Sequence, residues 1–166
     1  ITLDVYSSTK IYGDDFKDQN DKLYKQLYAQ AAELKNVNYM GWHENKYICD
    51  HIPDYQIFPY SNTWEETSCI AAIEALAAGC HMITTNNGAL FETCSEWPVY
   101  VQYDTNYKDM SECFAYAINS VVDYLHLDQC QQHLDDQQKF YKRFYSWNKR
   151  KIEWQSFLEG ALNAKS

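Results

Sequence analysis

Glycine and proline are scarce: 5 Gly and 3 Pro among 166 residues. That excludes collagen-like, low-complexity and linker-built chains. Long apolar runs are missing as well. The longest, Cys69 to Ala78, is interrupted by Glu74 and falls far short of the roughly 20 residues that cross a bilayer. No basic stretch followed by an apolar core opens the chain, so no signal peptide is read. Ile1 already sits in strand-like sequence, which leaves room for an upstream segment. Positive charge is in deficit, with 14 Lys and Arg against 23 Asp and Glu and a net charge of −9. Such a surface repels phosphate backbones and anionic lipid, which argues against nucleic acid and membranes as partners of this chain alone. The six cysteines form no C-x-x-C, and several fall on apolar helix faces, so they read as small apolar groups of a reduced, cytoplasmic protein. His43, His51, His81, His126 and His133 lack ligand spacing, so no metal is expected. G-x-S-x-G, P-loop and G-x-G-x-x-G motifs are absent.

What is present is a folded composition, 46% hydrophobic and 22% charged, in a length that suits a single domain over residues 1–166. Strand-like segments lie at Ile1–Tyr6, Val37–Met40, Tyr55–Pro59, His81–Thr84 and Pro98–Val101. Helical patterns lie between them, at Lys22–Leu34 (Leu23, Leu27, Ala31 and Leu34 on one face), Glu44–Ile52, Thr67–Ala78 and Leu90–Cys94. From Ser111 the chain is helical to its end, with breaks near Asp128 and Ser146, giving a helical extension over about 128–166. Alternating strands and helices predict a Rossmann-like, three-layer α/β/α domain around a parallel sheet of about five to six strands. In such sheets ligands gather beyond the C-terminal strand ends. The loops to search are therefore 7–14, 41–44, 60–68 and 84–89.

One segment stands out, Tyr60 to Gly79. Thr63 and Glu66 have the spacing of a capping box. Glu74 lies mid-helix among Ile70, Ala71, Ala72, Ile73, Ala75, Leu76 and Ala77, where a carboxylate is costly unless paired. Either it meets a donor inside the domain, or it faces a cleft and binds hydroxyl groups. If both glutamates were helical, their spacing would amount to roughly 12 Å of rise, too far for one acid–base pair or one metal. It would suit two carboxylates gripping an elongated ligand, with the helix N–H groups at Thr67, Ser68 and Cys69 between them for phosphate.

The segment resembles the retaining, group-1 (GT4-like) glycosyltransferases of the GT-B fold, in their C-terminal, donor-binding half. The shared signature is Glu66, seven residues, Glu74-Ala75 and a small-residue run to Gly79. Val37–Gly41, Phe58-Pro59-Tyr60-Ser61, Met82–Glu92 and Tyr145-Ser146-Trp147 match further family elements in order. The resemblance implies transfer of a sugar from a nucleotide-sugar, such as a UDP- or GDP-sugar, to a glycan, lipid or protein acceptor. It implies no metal and no cofactor. The departing phosphate would take the acceptor's proton on the donor's own face. Glu74 would hold the ribose hydroxyls and Glu66, the candidate catalytic residue, the donor sugar. Thr67 and Ser68 would meet phosphate or sugar, Gly88 and Ala89 would line the cleft, and the base would lie near Trp42 and His43. The family's Arg and Lys for the diphosphate belong to a strand preceding this chain, and Lys10 is the available substitute. The family's N-terminal Rossmann-like domain would have to come in cis or in trans. The alternative is a non-catalytic nucleotide-sugar-binding or interaction module with the same fold. A third reading is an unrelated α/β protein in which Glu74 pairs internally.

Overall fold

The computed structural model describes residues 1–8, 10 and 14–164, with side chains outside 14–23. Thr9, 11–13 and 165–166 lie outside the described residues, so Leu23's place on its helix face and part of the 7–14 loop go without a structural account. The chain divides into two compact units, Ile1–Asp50 and His51–Ser166.

The first unit contains β1 (Leu3–Val5), α1 (Asp14–Glu33), β2 (Val37–Tyr39) and most of α2 (Asn45–His51). β1 and β2 pair in parallel, with Leu3 opposite Val37 and Val5 opposite Tyr39. Between them Asn38 Nδ2 donates to Asp4 Oδ1 at 2.7 Å. α1 starts well before the expected Lys22, because its first residues are polar and carry no apolar period to mark them. Tyr28 stacks on Tyr39 with centroids 4.4 Å apart, while Leu27 and Leu34 from the expected apolar face are exposed.

The second unit holds β3 (Ile57–Tyr60), α3 (Ile70–Ala78), β4 (His81–Thr85), α4 (Leu90–Cys94), β5 (Val99–Val101), α5 (Tyr107–Tyr124), α6 (Asp128–Phe144) and α7 (Trp147–Asn163). Its sheet is parallel in the order β3-β4-β5. All five residues of β4 are buried, as a central strand covered on both faces requires. Met82 packs with Leu76, Leu90 and Tyr141, and Ile83 with Phe114 and Val121.

The structure thus differs from a sheet of five to six strands. Among the described residues there are two parallel sheets, of two and three strands, with no ladder joining them. β1 and β2 each carry a polar residue among three and bury no side chain, so they lack the continuous burial that β4 shows.

α3 ends as the sequence predicts. Gly79 has φ +93° and its N–H bonds back to α3 carbonyls, with Cys80 N–H bonding Ala75 O at 3.1 Å, the left-handed cap that glycine adopts without a Cβ penalty. α6 completes the cap. Gln137 Nε2 donates to Leu76 O and Cys80 O, each at 3.1 Å, and Gln138 Nε2 to Ala78 O at 2.8 Å. These side chains satisfy carbonyls that a helix end leaves without partners. Tyr141, also on α6, is buried and its hydroxyl donates to Thr93 O at 2.9 Å. The aromatic residues late in the chain divide into two groups. Phe140, Tyr141 and Tyr145 pack on the core, whereas Trp147, Trp154 and Phe157 are exposed.

Candidate functional site

The loop from Tyr60 to Cys69 is assembled by the strands beneath it. β4 ends in two threonines that are wholly buried yet polar. Thr84 Oγ1 donates to Tyr60 O at 3.1 Å and Thr85 Oγ1 to Asn62 O at 2.9 Å. Asn62 closes the bend with its own N–H on Tyr60 O at 2.9 Å, its side chain accepting from Trp64 N–H at 2.9 Å. Hydroxyls inside an apolar strand are costly unless bonded, and here the bonds anchor a loop at the C-terminal edge of the sheet.

Glu66 is half-buried, and its Oε1 accepts from the Tyr60 hydroxyl at 2.7 Å. That bond replaces the expected capping box, since a carboxylate held by Tyr60 is not reaching back to the Thr63 amide. The helix starts later as well. Thr67 and Ser68 are exposed loop residues, and α3 begins at Ile70 with Cys69 as its N-cap. The free N–H groups of the helix end consequently belong to residues from Ile70 onward. Helical rise cannot measure the distance from Glu66 to Glu74, because Glu66 precedes the helix.

The turn after β4 closes on this loop. Gly88 has φ +59°, and a Cβ there would lie 2.5 Å from both the N and the O of Glu66. Ala89 N–H donates to Glu66 O at 2.7 Å. Two segments 22 residues apart in sequence are thus in backbone contact, and only glycine permits both the positive φ and the approach. Asn86 braces the turn, donating to Gln102 Oε1 and accepting from Tyr103 N–H, both at 2.9 Å.

The structure therefore brings Glu66, Gly88 and Ala89 together. Glu74 sits half-buried in the middle of α3, between the buried Ala72 and Ala75. In the first unit, Lys10 Nζ lies 4.6 Å from the centroid of the Trp42 ring. His43 instead stacks on Tyr47 at 4.1 Å and meets Tyr6 edge-on at 5.5 Å. Tyr60, Asn62, Thr84 and Thr85 were not singled out by the sequence. For Thr84 and Thr85 the signal was the pair of hydroxyls closing the short strand that begins at His81.

Burial, reinforced by the bond to Glu66, pushes the Tyr60 phenol well above its ordinary range, so it stays a donor. Burial likewise raises Cys94 to about 12 and Cys80 to about 11, which makes these thiols inert fillers. All six cysteines are free. Among the described residues no cluster of His, Cys, Asp or Glu could hold a metal ion, and no helix is long and apolar enough to cross a membrane. Two grooves, one of about 620 Å³ along β5 and α5 and one of about 440 Å³ around His81 and His133, include neither Glu66 nor Glu74.

No family model and no curated protein matches the chain. Among solved structures it is similar to the pneumococcal O-GlcNAc transferase GtfA in complex with UDP and GlcNAc. The TM-score is 0.72 and the identity 16%, over 98% of this chain and 30% of the other. The chain has a glycosyltransferase-like fold. It spans less than a third of that transferase's length, and its parallel sheets and flanking helices are those of a Rossmann-like lobe.

Proposed function

We propose that residues 1–166 form the nucleotide-sugar-binding lobe of a retaining, GT4-like glycosyltransferase, working with an acceptor-binding Rossmann-like domain supplied in cis or in trans. The observation that carries this reading is the closure of the Gly88–Ala89 turn onto Glu66, whose carboxylate is bonded to the last residue of β3. Ligands collect at the C-terminal ends of such parallel strands. The structural neighbour adds support, since it is a transferase described with UDP and GlcNAc.

In this reading Glu66 holds the donor sugar and Glu74 the ribose hydroxyls. The amides at Thr67 and Ser68 and at the start of α3 face the diphosphate, where helix N–H groups favour negative charge. Gly88 and Ala89 form the wall behind the sugar. For the first unit by itself we propose that the rings of Trp42 and His43 suit a nucleotide base, and Lys10, which rests against the indole, a phosphate. The acceptor oxygen attacks the anomeric carbon on the face from which the nucleoside diphosphate departs. The carbon–oxygen bond to phosphate breaks, and the acceptor's proton passes to the diphosphate oxygen. No metal or cofactor is assigned a role.

Calorimetric titration with UDP-, GDP- and ADP-sugars, on the wild-type chain and on Glu74→Ala, tests the reading. Binding of one nucleotide family that weakens by about tenfold in Glu74→Ala is the expected outcome, given the cost of losing a hydrogen bond to a charged group. A folded chain that binds none of them would overturn it. The chain's length, 30% of the neighbour's, favours a second outcome for turnover, in which the donor binds and nothing is transferred until the acceptor-binding half is added.

A further inference from the structure

Tyr60 is the last residue of β3, and its ring is half-buried beside Cys69 and Phe58. Its main-chain oxygen is held by Thr84 Oγ1 and by Asn62 N–H, so the residue cannot shift without disturbing the sheet edge. Its hydroxyl reaches across the bend to Glu66 Oε1 at 2.7 Å. Glu66 is gripped a second time through its backbone, where Ala89 N–H donates to Glu66 O at 2.7 Å and Gly88 fits against the same peptide. Main chain and carboxylate are thus each held by a bond of their own. Nothing in a capping box or a solvated glutamate would need both.

We propose that Tyr60 is a positioning residue for Glu66. Its hydroxyl commits Oε1 to the protein and turns Oε2 out as the acceptor for a hydroxyl group of the donor sugar. The inference rests on the donor-site reading above and adds a determinant to it. A carboxylate free to rotate would lose entropy on every binding event, whereas one already bonded to a buried phenol presents a fixed acceptor. The phenol stays protonated over the whole working pH range, so the lock is constant.

Calorimetry with UDP and with UDP-N-acetylglucosamine on wild type, Tyr60→Phe, Glu66→Gln and the double variant separates this role from a merely structural one. Tyr60→Phe keeps the ring and is expected to weaken UDP-N-acetylglucosamine by about tenfold while leaving UDP within about twofold. In the double variant the two losses are less than additive, because the Tyr60 hydroxyl acts on the sugar only through this side chain. Equal weakening of both ligands, or independent losses in the double variant, overturns the proposal. A second measurement needs no ligand. In Tyr60→Phe the Ala89 amide is expected to exchange about tenfold faster while amides of α5 and α6 keep their rates, and an unchanged Ala89 rate overturns the positioning role. Should the wild-type chain bind neither probe, the nucleotide and nucleotide-sugar selected by the titration above replace them; if that titration selects none, the donor reading falls and the Ala89 amide alone decides the role of Tyr60.

Discussion

Residues 51–166 and residues 1–50 use the same vocabulary of parallel strands and helices, yet among the described residues only the former bury side chains. Every buried residue among those described lies at Ile52 or beyond. In the second unit α3 offers Ala72, Ala75 and Leu76 to the sheet, α6 caps it with glutamines, and β4 is buried on both faces. In the first unit the strand pair is held by backbone bonds, one Asn38–Asp4 bond and a stack of tyrosines. Stability should therefore be concentrated in one unit, and substitutions should read out that asymmetry.

The largest effect is expected at Gly88. Gly88→Val adds a branched side chain where even a Cβ would lie 2.5 Å from the Glu66 backbone at φ +59°. A destabilisation of about 3–5 kcal/mol follows from overlap and the left-handed conformation together. Urea unfolding of the two forms measures it. A loss below about 1 kcal/mol would mean that the Gly88 turn and Glu66 are not in contact.

Next comes Leu76→Ala. Leu76 is fully buried against Met82, Leu90 and Tyr141, so the cost should be about 2–5 kcal/mol by transfer and cavity formation. Gln137→Leu keeps most of the volume but removes one donor from each of two carbonyls, Leu76 O retaining the Gly79 N–H. A loss of about 1–3 kcal/mol is expected in the same assay, and a neutral result would show that water caps α3 instead.

A pH effect should follow from His81. It is buried, its Nε2 lies 3.2 Å from the Tyr124 hydroxyl, and its ring centroid is 6.4 Å from that of His133. Burial, then the neighbouring His133, pulls its pKa below the ordinary histidine value. The unfolded chain therefore takes the proton more readily than the folded one. Stability is complete above the unfolded-state value near 6.5 and falls as pH drops through it towards the folded value. Cys130 and Glu96 line the same groove, and among the described residues Glu96 is the only carboxylate lining it. Thermal midpoints of wild type and His81→Phe between pH 8 and 5 should diverge in slope, the variant being flatter.

These contrasts also explain what was legible in the sequence. Strands β2, β4 and β5, the short α4 and the glycine after α3 stood out because short apolar runs between turn residues, and a glycine ending a helical period, are local signals. The start of α3 was not legible. Thr63 and Glu66 fit a capping box as a string, and what cancels it is a long-range choice, the Tyr60 hydroxyl taking the carboxylate and the Gly88 turn holding the backbone. The division into two sheets was hidden for a similar reason, since strand-like sequence at residues 1–6 and 37–40 does not say what its edges pair with. At the candidate site the glutamates and the Gly88-Ala89 turn drew notice by residue type and spacing. Tyr60, Thr84 and Thr85 did not, because they act by supporting other groups.

The smallest expected effect gives the sharpest test of the asymmetry. Leu27 carries the apolar period of α1 that a sequence reader would place in a core, yet it is 57% exposed. Leu27→Ala removes little buried area, and alanine is at least as good a helix former. A change within about 0.5 kcal/mol is therefore expected, against several for Leu76→Ala at identical chemistry. The pair should be measured by hydrogen exchange as well as by urea, because a weakly packed unit can open without global unfolding. Amides of α1 and β2 should exchange through local opening in both variants, while those of β4 follow global stability and slow down or speed up only with Leu76. If Leu27→Ala instead cost as much as Leu76→Ala, the α1 face would be covered in solution. The contrast between the two units would then be one of partners rather than of packing.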